Sequence, residues 1–518
     1  MTTSSSSYRI GRRRTAAATA RSPESGILRS LFELRKRCSD PLYSNTILQV
    51  NELVFFCCEW TQRIVQSLSK LIVRDGNRFT SIKFFDCDVS SPEFLEILSI
   101  MMNHNTTTTL VIKGRKMIGN SNESHQQILP RCESSRAAPT LDESFLAAIS
   151  DGISVQRSLK SLKISGVRII HNSSDGGDHL WCKRFINNTH LRHLDLSGSY
   201  VSLSTIISIS SALSLNSTLQ SLNLGACSLN DRSLSKVMHS VKEHSSLIEL
   251  NLSGNFLGKS TSTEALDAVT ELLNSKNSKL KYLDLSKQQH PVTSAVTNRV
   301  ENVSNENETE AKLKFAFTNA LNALSSNTTL RRINLSGNNG CFSELHTVEA
   351  LSSCLASNNT LQHVDISLCH LNPSGLSQLA EKCIPRCSEN LKSLVLFGDE
   401  MINRSAGFSA DWRDAFLSLE RGLRANFIIE NLGEFGHSVE SRTRCSLEYL
   451  LNVNRAGRRA LQADDLPLGT WSDILARASG LEYEMPHNDD KVAPSNTTTS
   501  ATVLFTLLHG PSTFDRRR

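Results

Sequence analysis

Leu219-Gln220-Ser221-Leu222-Asn223-Leu224-Gly225-Ala226-Cys227-Ser228-Leu229 is answered 28 residues later by Leu247-Ile248-Glu249-Leu250-Asn251-Leu252-Ser253-Gly254-Asn255-Phe256-Leu257. Leucine holds the same four places in both. The alternation of Leu222 and Leu224 with polar residues is the period of a strand with one buried face. After Leu229 the period changes: Leu234, Val237, Met238 and Val241 fall at i, i+3, i+4 and i+7, so one face of a helix is apolar. The unit is therefore a short strand followed by an amphipathic helix.

Working outward, the pattern L-x-x-L-x-L also opens at Leu159, Leu191, Leu280, Leu330, Leu361 and Leu391, making eight clear copies, and two weaker ones begin at Phe79 and Thr107. A repeat of this length governs the whole fold, because each unit cannot bury its apolar face except against its neighbours. Asn216, Asn327 and Asn359, each followed within three residues by Thr and Leu, punctuate the passage from helix to strand. Sequons at Asn216, Asn251, Asn327 and Asn334 fall on these repeat positions and are expected to stay bare.

These residues carry a resemblance. The consensus L-x-x-L-x-L-x-x-N/C-x-L continues in register through Cys227 and Leu229, Asn255 and Leu257, Cys369 and Leu371, and Cys87 and Val89. The chain resembles leucine-rich-repeat proteins of the ribonuclease-inhibitor-like class. What the resemblance implies is an α/β horseshoe solenoid, with parallel strands on the concave face and helices on the convex face. Helical caps would close its ends.

Composition agrees with a folded chain. Of 518 residues, 39% are hydrophobic and 21% charged, with a net charge of +5, too balanced for a nucleic-acid coat. No run approaches the roughly 20 apolar residues of a membrane span, and no secretory segment is expected. The 13 cysteines lack disulfide-framework spacing and are expected as free thiols in a reducing, cytoplasmic setting. Residues 1–26 read as a disordered tail. Up to Arg37 there are nine Lys/Arg against Glu24 and Glu33, which also suits an organelle transit peptide or a nuclear or anion-binding arm. Residues 27–78 are expected as an N-terminal cap and 79–425 as the repeats. Polar insertions at 118–140 and 288–311 are expected as loops. Residues 426–518 are expected as a helical C-terminal cap, with amphipathic sets at Leu447, Leu450 and Leu451, at Trp471, Ile474, Leu475 and Ala478, and at Val503, Leu504, Leu507 and Leu508.

Motifs of chemistry yield to the repeat. Gly254 through Ser260 imitates a phosphate loop but has three residues between its glycines where four are needed to curl around a phosphate. Cys383 and Cys387, with Cys369 and His370, lack a second compact pair to complete a zinc tetrahedron, and adjacent Cys57 and Cys58 do not converge on one ion. No metalloprotease or serine-hydrolase motif is present, and the reading expects no enzyme, catalytic residue, cofactor or metal.

A partner surface remains. The middle outward position of the strands runs Lys83, Val111, Lys163, Asp195, Asn223, Asn251, Asp284, Asn334, Asp365 and Val395, basic at its start and rich in Asp and Asn at its centre. Tyr282, Arg332, His363 and Phe397, with Glu249, Asp284 and Asp365, are the expected partner-binding residues, since aromatic and charged anchors supply most interface energy. The expected function is a scaffold that binds a protein partner, as a monomer and without specific nucleic acid. Two alternatives come from resemblance. Solenoids of this class include activators of the small nuclear-transport GTPase; those carry an acidic C-terminal tail, whereas this sequence ends Phe514-Asp515-Arg516-Arg517-Arg518. Ser446-Leu447, followed by Tyr449-Leu450 and by Leu466-Pro467-Leu468, resembles the box that recruits ubiquitin-ligase adaptors, with Leu451 where that family has cysteine. A third alternative, the sensor half of an immune-type receptor, would need its nucleotide switch on another chain.

Overall fold

In a computed structural model, the structure describes residues 46–49, 52–56, 60–75, 79–85, 87, 91–102, 106–114, 140–141, 151, 157–169, 188–258, 262–288, 303–338, 340–398, 410–435 and 439–459. The tail at 1–26, Cys57 and Cys58, residues 118–139, and the segments around Trp471 and Val503 lie outside the described residues.

Strand and helix alternate as the two periods require. The strands are β1 (Thr46–Gln49), β2 (Glu52–Phe56), β3 (Ser81–Phe85), β4 (Thr109–Lys113), β6 (Ser161–Ser165), β8 (His193–Asp195), β10 (Ser221–Asn223), β11 (Glu249–Asn251), β12 (Tyr282–Asp284), β13 (Arg332–Asn334), β14 (His363–Asp365), β15 (Ser393–Phe397) and β16 (Asn431–Gly433). They form one sheet in chain order, antiparallel only between β1 and β2. Two-residue strands β5 (Thr140–Leu141), β7 (Arg168–Ile169) and β9 (Tyr200–Val201) make a second, parallel ladder. The helices are α1 (Gln62–Asp75), α2 (Pro92–Met102), α3 (Leu203–Leu213), α4 (Asp231–Val241), α5 (Glu264–Asn274), α6 (Val303–Ser326), α7 (Leu345–Ser357), α8 (Pro373–Gln378), α9 (Ala410–Ala425) and α10 (Ser441–Arg455). Side chains start several of them: Ser202 accepts from the N–H of Thr205, Asn230 from that of Ser233 and Asn372 from that of Gly375, each filling a donor the first turn leaves free.

Register places the repeat's second leucine in one buried file. Leu53, Ile82, Leu110, Leu162, Leu194, Leu222, Leu250, Leu283, Ile333, Val364 and Leu394 pair rung to rung, all buried. Leu234, Val237, Met238 and Val241 of α4 close over it, as the spacing predicted. Burying one such leucine is worth about 1.5–3 kcal/mol, so each unit stabilises its neighbours through shared contacts. Rungs of a sheet lie about 4.8 Å apart, whereas packed helices need about 8–10 Å. A stack built of both must curve, with the sheet inside.

The turn after β8 and after each of β10 to β14 bends through the left-handed region at one fixed place. Gly198, Ala226, Gly254, Lys287, Gly337 and Leu368 there have φ between 53° and 70°. Where glycine stands, no Cβ opposes that conformation.

The ladder runs on into both segments expected as caps. Strand β2 lies within 27–78 and β16 within 426–518, each hydrogen-bonded parallel to its neighbour. The expected insertion at 288–311 is also narrower. Gln288 is buried in the repeat's asparagine place, its Nε2 donating to the Leu252 carbonyl at 2.9 Å, and helix begins at Val303. The polar run read as loop there includes Glu306, Glu308 and Glu310, and glutamate is a good helix former. Among the described residues no helix is long and apolar enough to cross a membrane.

Candidate functional site

Two files of side chains leave the inner face of the sheet, one on each side of the buried leucine. The middle file is largely committed to the backbone. Asp195, Asn223, Asn251, Asp284, Asn334 and Asp365 each accept, through Oδ1, the N–H two residues ahead at 2.9–3.0 Å. Repeated six times, this bond forms the turn that ends each strand. Asp284 is buried as well and also accepts from the Tyr282 hydroxyl at 3.0 Å, while Asp365 takes a second bond from the Ser367 hydroxyl at 2.7 Å. Both expected partner residues serve the turn first.

The neighbouring file is freer. Backbone pairing sets Glu249 beside Tyr282, Tyr282 beside Arg332 and Arg332 beside His363. Glu249 and Arg332 are exposed; Tyr282 and His363 are half-buried. Burial and the neighbouring Asp284 carboxylate push the Tyr282 phenol well above its ordinary value, so it stays a neutral donor. His363 is held below the usual imidazole value by burial first and by the Arg332 guanidinium next. Four consecutive rungs thus offer an anion, a phenol, a cation and a neutral imidazole.

Two expectations fail here. Phe397 is not on the surface: its ring is 4% exposed, stacked on Phe416 at 5.6 Å and tilted against Phe435 at 5.2 Å. Strand β15 is longer than its neighbours and meets β16 through an irregular register, which carries its last residue into the core. The basic start of the face is also partly neutralised. Lys83 pairs with Glu52, whose carboxyl that hydrogen bond holds below its usual value, and Lys163 meets Asp195 at 2.6 Å.

The other sequence motifs resolve into structure. Asn255 of the imitation phosphate loop is fully buried. Its Oδ1 accepts from the N–H groups of Cys227 and Leu229, both at 3.0 Å, and its Nδ2 donates to the carbonyls of Leu224 and Leu252 at 2.9 and 2.8 Å. Cys227 and Cys369 occupy the same place, each Sγ donating to a carbonyl of the preceding repeat at 3.1 Å. Burial pushes the Cys227 thiol up to about 12 and the Cys387 thiol up to about 11, and it raises Cys369 and Cys383 as well. Such thiols are poor nucleophiles and poor metal ligands at neutral pH. Among the described residues no group of three or more His, Cys, Asp or Glu is placed to hold a metal ion. Leu447, Leu450 and Leu451 are core residues at 0, 5 and 3% exposure, so the leading leucine of the adaptor-like box is turned inward.

The sequence reading passed over one set of residues. Lys281, Arg331, Gln362 and Lys392 directly follow the first leucine of their copies and stand on successive rungs at the edge where the strands begin. Their signal was the position after that leucine, which a search keyed to the leucines treats as variable.

The model of the family described as "Leucine Rich repeat" matches residues 187–199 and 357–380. No curated protein matches the sequence. Among solved structures, a chain titled "Leiomodin-1 Actin-Binding Site 2" is 16% identical, with a TM-score of 0.25 over 38% of this chain and 89% of its own. The tropomodulin C-terminal domain of Caenorhabditis elegans is 12% identical, with a TM-score of 0.27 over 38% of this chain and 99% of its own. With the family matched at two separate repeats and the strand-and-helix unit stacked in register along the sheet, the chain is a leucine-rich-repeat protein.

Proposed function

We propose that the chain is a non-enzymatic scaffold that holds a protein partner against the inner face of its solenoid, at the file formed by Glu249, Tyr282, Arg332 and His363. One observation carries this reading: on four successive rungs the consensus leaves a position unassigned, and there it is filled by an anchor-type side chain rather than by serine, which stands at the same place in β10 and β15. A stacked repeat offers such residues on a stiff frame, so little ordering entropy is lost on binding. Tyr282 is further fixed by its bond to Asp284, a preorganised aromatic edge beside an exposed arginine.

Proximity labelling in the native cell, compared with a Tyr282→Ala plus Arg332→Ala variant, tests the reading. Loss of two such anchors is expected to cost binding about 2 kcal/mol or more and to remove the partner from the labelled set. An unchanged set refutes the inner-face proposal while leaving the fold untouched.

A further inference from the structure

The edge of the sheet where the strands begin carries a polar recess of about 390 Å³, outside the four anchors described above. Lys279, Lys281 and Arg331 line it together with Thr329, Gln362 and Asn390. The backbone fixes their spacing. The N–H of Arg331 donates to the Lys281 carbonyl at 2.9 Å, that of Gln362 to the Arg331 carbonyl at 2.8 Å, and that of Lys392 to the Gln362 carbonyl at 3.0 Å. These side chains therefore leave consecutive rungs about 4.8 Å apart.

All three cations are exposed, and among the described residues none of them forms an ion pair. The contrast with other lysines of the solenoid is sharp: Lys83, Lys163 and Lys242 each have a carboxylate partner, and Lys392, at the end of this same file, meets Glu430 at 3.6 Å. Three like charges gathered without a counter-ion repel one another and raise a positive potential over the recess. Around the cations, the Gln362 amide and the second N–H of Asn390, whose first donates to the Asn359 carbonyl at 2.6 Å, supply donors that suit a carboxylate's free oxygen lone pairs.

We infer that this recess binds an acidic peptide segment of the protein partner, with Lys281 and Arg331 pairing its Asp or Glu side chains. The inference rests on the scaffold reading and adds the chemistry of the partner. A nucleic acid fits less well, because a phosphate backbone continuing onto the inner face would meet Glu249 and Asp284. A short acidic stretch stays at the edge. Arg331 can grip a carboxylate through two parallel N–H bonds, and Lys281 and Lys279 act as point charges beside it.

The test uses the full chain and a fluorescein-labelled octaglutamate peptide, followed by anisotropy at low salt and again at about 0.5 M salt, where surface charges are screened. Lys281→Glu with Arg331→Glu is compared with Arg232→Glu plus Lys236→Glu on the outer helix α4, which changes net charge equally. The expected result is binding that salt abolishes and that the edge pair weakens about ten-fold or more, against about two-fold or less for the control. Absence of peptide binding, equal weakening by both variants, or tighter binding of an equally charged oligothymidylate through Lys281 and Arg331 would overturn the inference. A cellular partner lost with Tyr282→Ala plus Arg332→Ala but indifferent to Lys281→Glu plus Arg331→Glu would sink the acidic segment and leave the scaffold standing. Peptide binding through the edge pair, with the cellular partner indifferent to the anchor variant, would do the reverse.

Discussion

The first strands of the sheet and its central ones perform the same task with different materials. Strands β2, β3, β4 and β6 are five residues long, and the core beneath the first of them is aromatic. Phe55 stacks on Phe84 at 5.1 Å, and Trp60 and Phe94 meet Phe84 edge-on at 5.8 and 5.0 Å. From β8 to β14 the strands shrink to three residues, and polar side chains carry the chain between repeats: Asn255, Gln288 and Asn338 each reach back to a carbonyl of the preceding unit. Apolar burial holds both regions; the centre adds satisfied hydrogen bonds between repeats. Apolar burial is non-directional, whereas a buried amide with four partners must meet each of them at hydrogen-bonding distance and angle. The hydrogen-bonded arrangement is the one beneath the candidate binding file.

The largest effect should come from the aromatic arc. Phe84→Ala removes a fully buried ring that touches three others and is expected to cost about 3–5 kcal/mol in urea unfolding. Because a solenoid transmits stability mainly to adjoining units, amide exchange should accelerate over residues 52–113 and change little over 219–258. Uniform acceleration along the whole chain would show that the two regions are not energetically distinct. Asn255→Ala comes next, at about 3 kcal/mol, since it strips partners from the N–H groups of Cys227 and Leu229 and from the Leu224 carbonyl. Its exchange signature should centre on 224–229. Asn255→Cys should recover only part of the loss: a thiol can donate to the carbonyl, as Cys227 does, but cannot receive both amides well.

What could be read in the sequence divides along the same line. The leucines declare the solenoid because apolar burial leaves a periodic trace, and the pair at Leu222 and Leu250 sits rung to rung as that trace requires. The Asp and Asn of the inner face were visible as letters, but whether Asp284 faces a partner or its own turn depends on backbone geometry that no single residue reveals. Phe397 looked exposed by position, and only the added length of β15 turned it inward. The ladder inside the expected caps was hidden for a related reason: Leu53-Val54-Phe55-Phe56 is apolar throughout and lacks the alternation that marks the other strands. Lys281 and Arg331 were hidden by distance, 50 residues apart in sequence and one rung apart in space.

The smallest and most discriminating prediction concerns a flaw in the central polar system. Where the helix turns back into the strand, Asn188, Asn216, Asn327, Asn358 and Asn426 each accept two N–H groups of the next strand's entry. In the 247 repeat His244 takes that part: its Nδ1 accepts from Ser246 at 3.3 Å and Leu247 at 3.1 Å. Nδ1 being the acceptor, the ring proton sits on Nε2, which is buried and has no partner among the described residues. Asn327, by contrast, uses its amide to reach the Leu273 carbonyl at 2.7 Å. His244→Asn should therefore stabilise the protein by about 1 kcal/mol at pH 7.5, an orphaned donor being relieved against some lost ring volume. Burial also holds the His244 imidazole below its ordinary value. A folded-state value below the unfolded one of about 6.5 means that the unfolded chain takes up protons first. Titration of this site costs nothing above that pH, and stability falls progressively as pH drops below it. Urea midpoints measured from pH 7.5 to 5.5 should thus decline more steeply for the wild type than for His244→Asn. Parallel declines would mean that the imidazole is already wet, and that the centre is less tightly closed than its asparagines suggest.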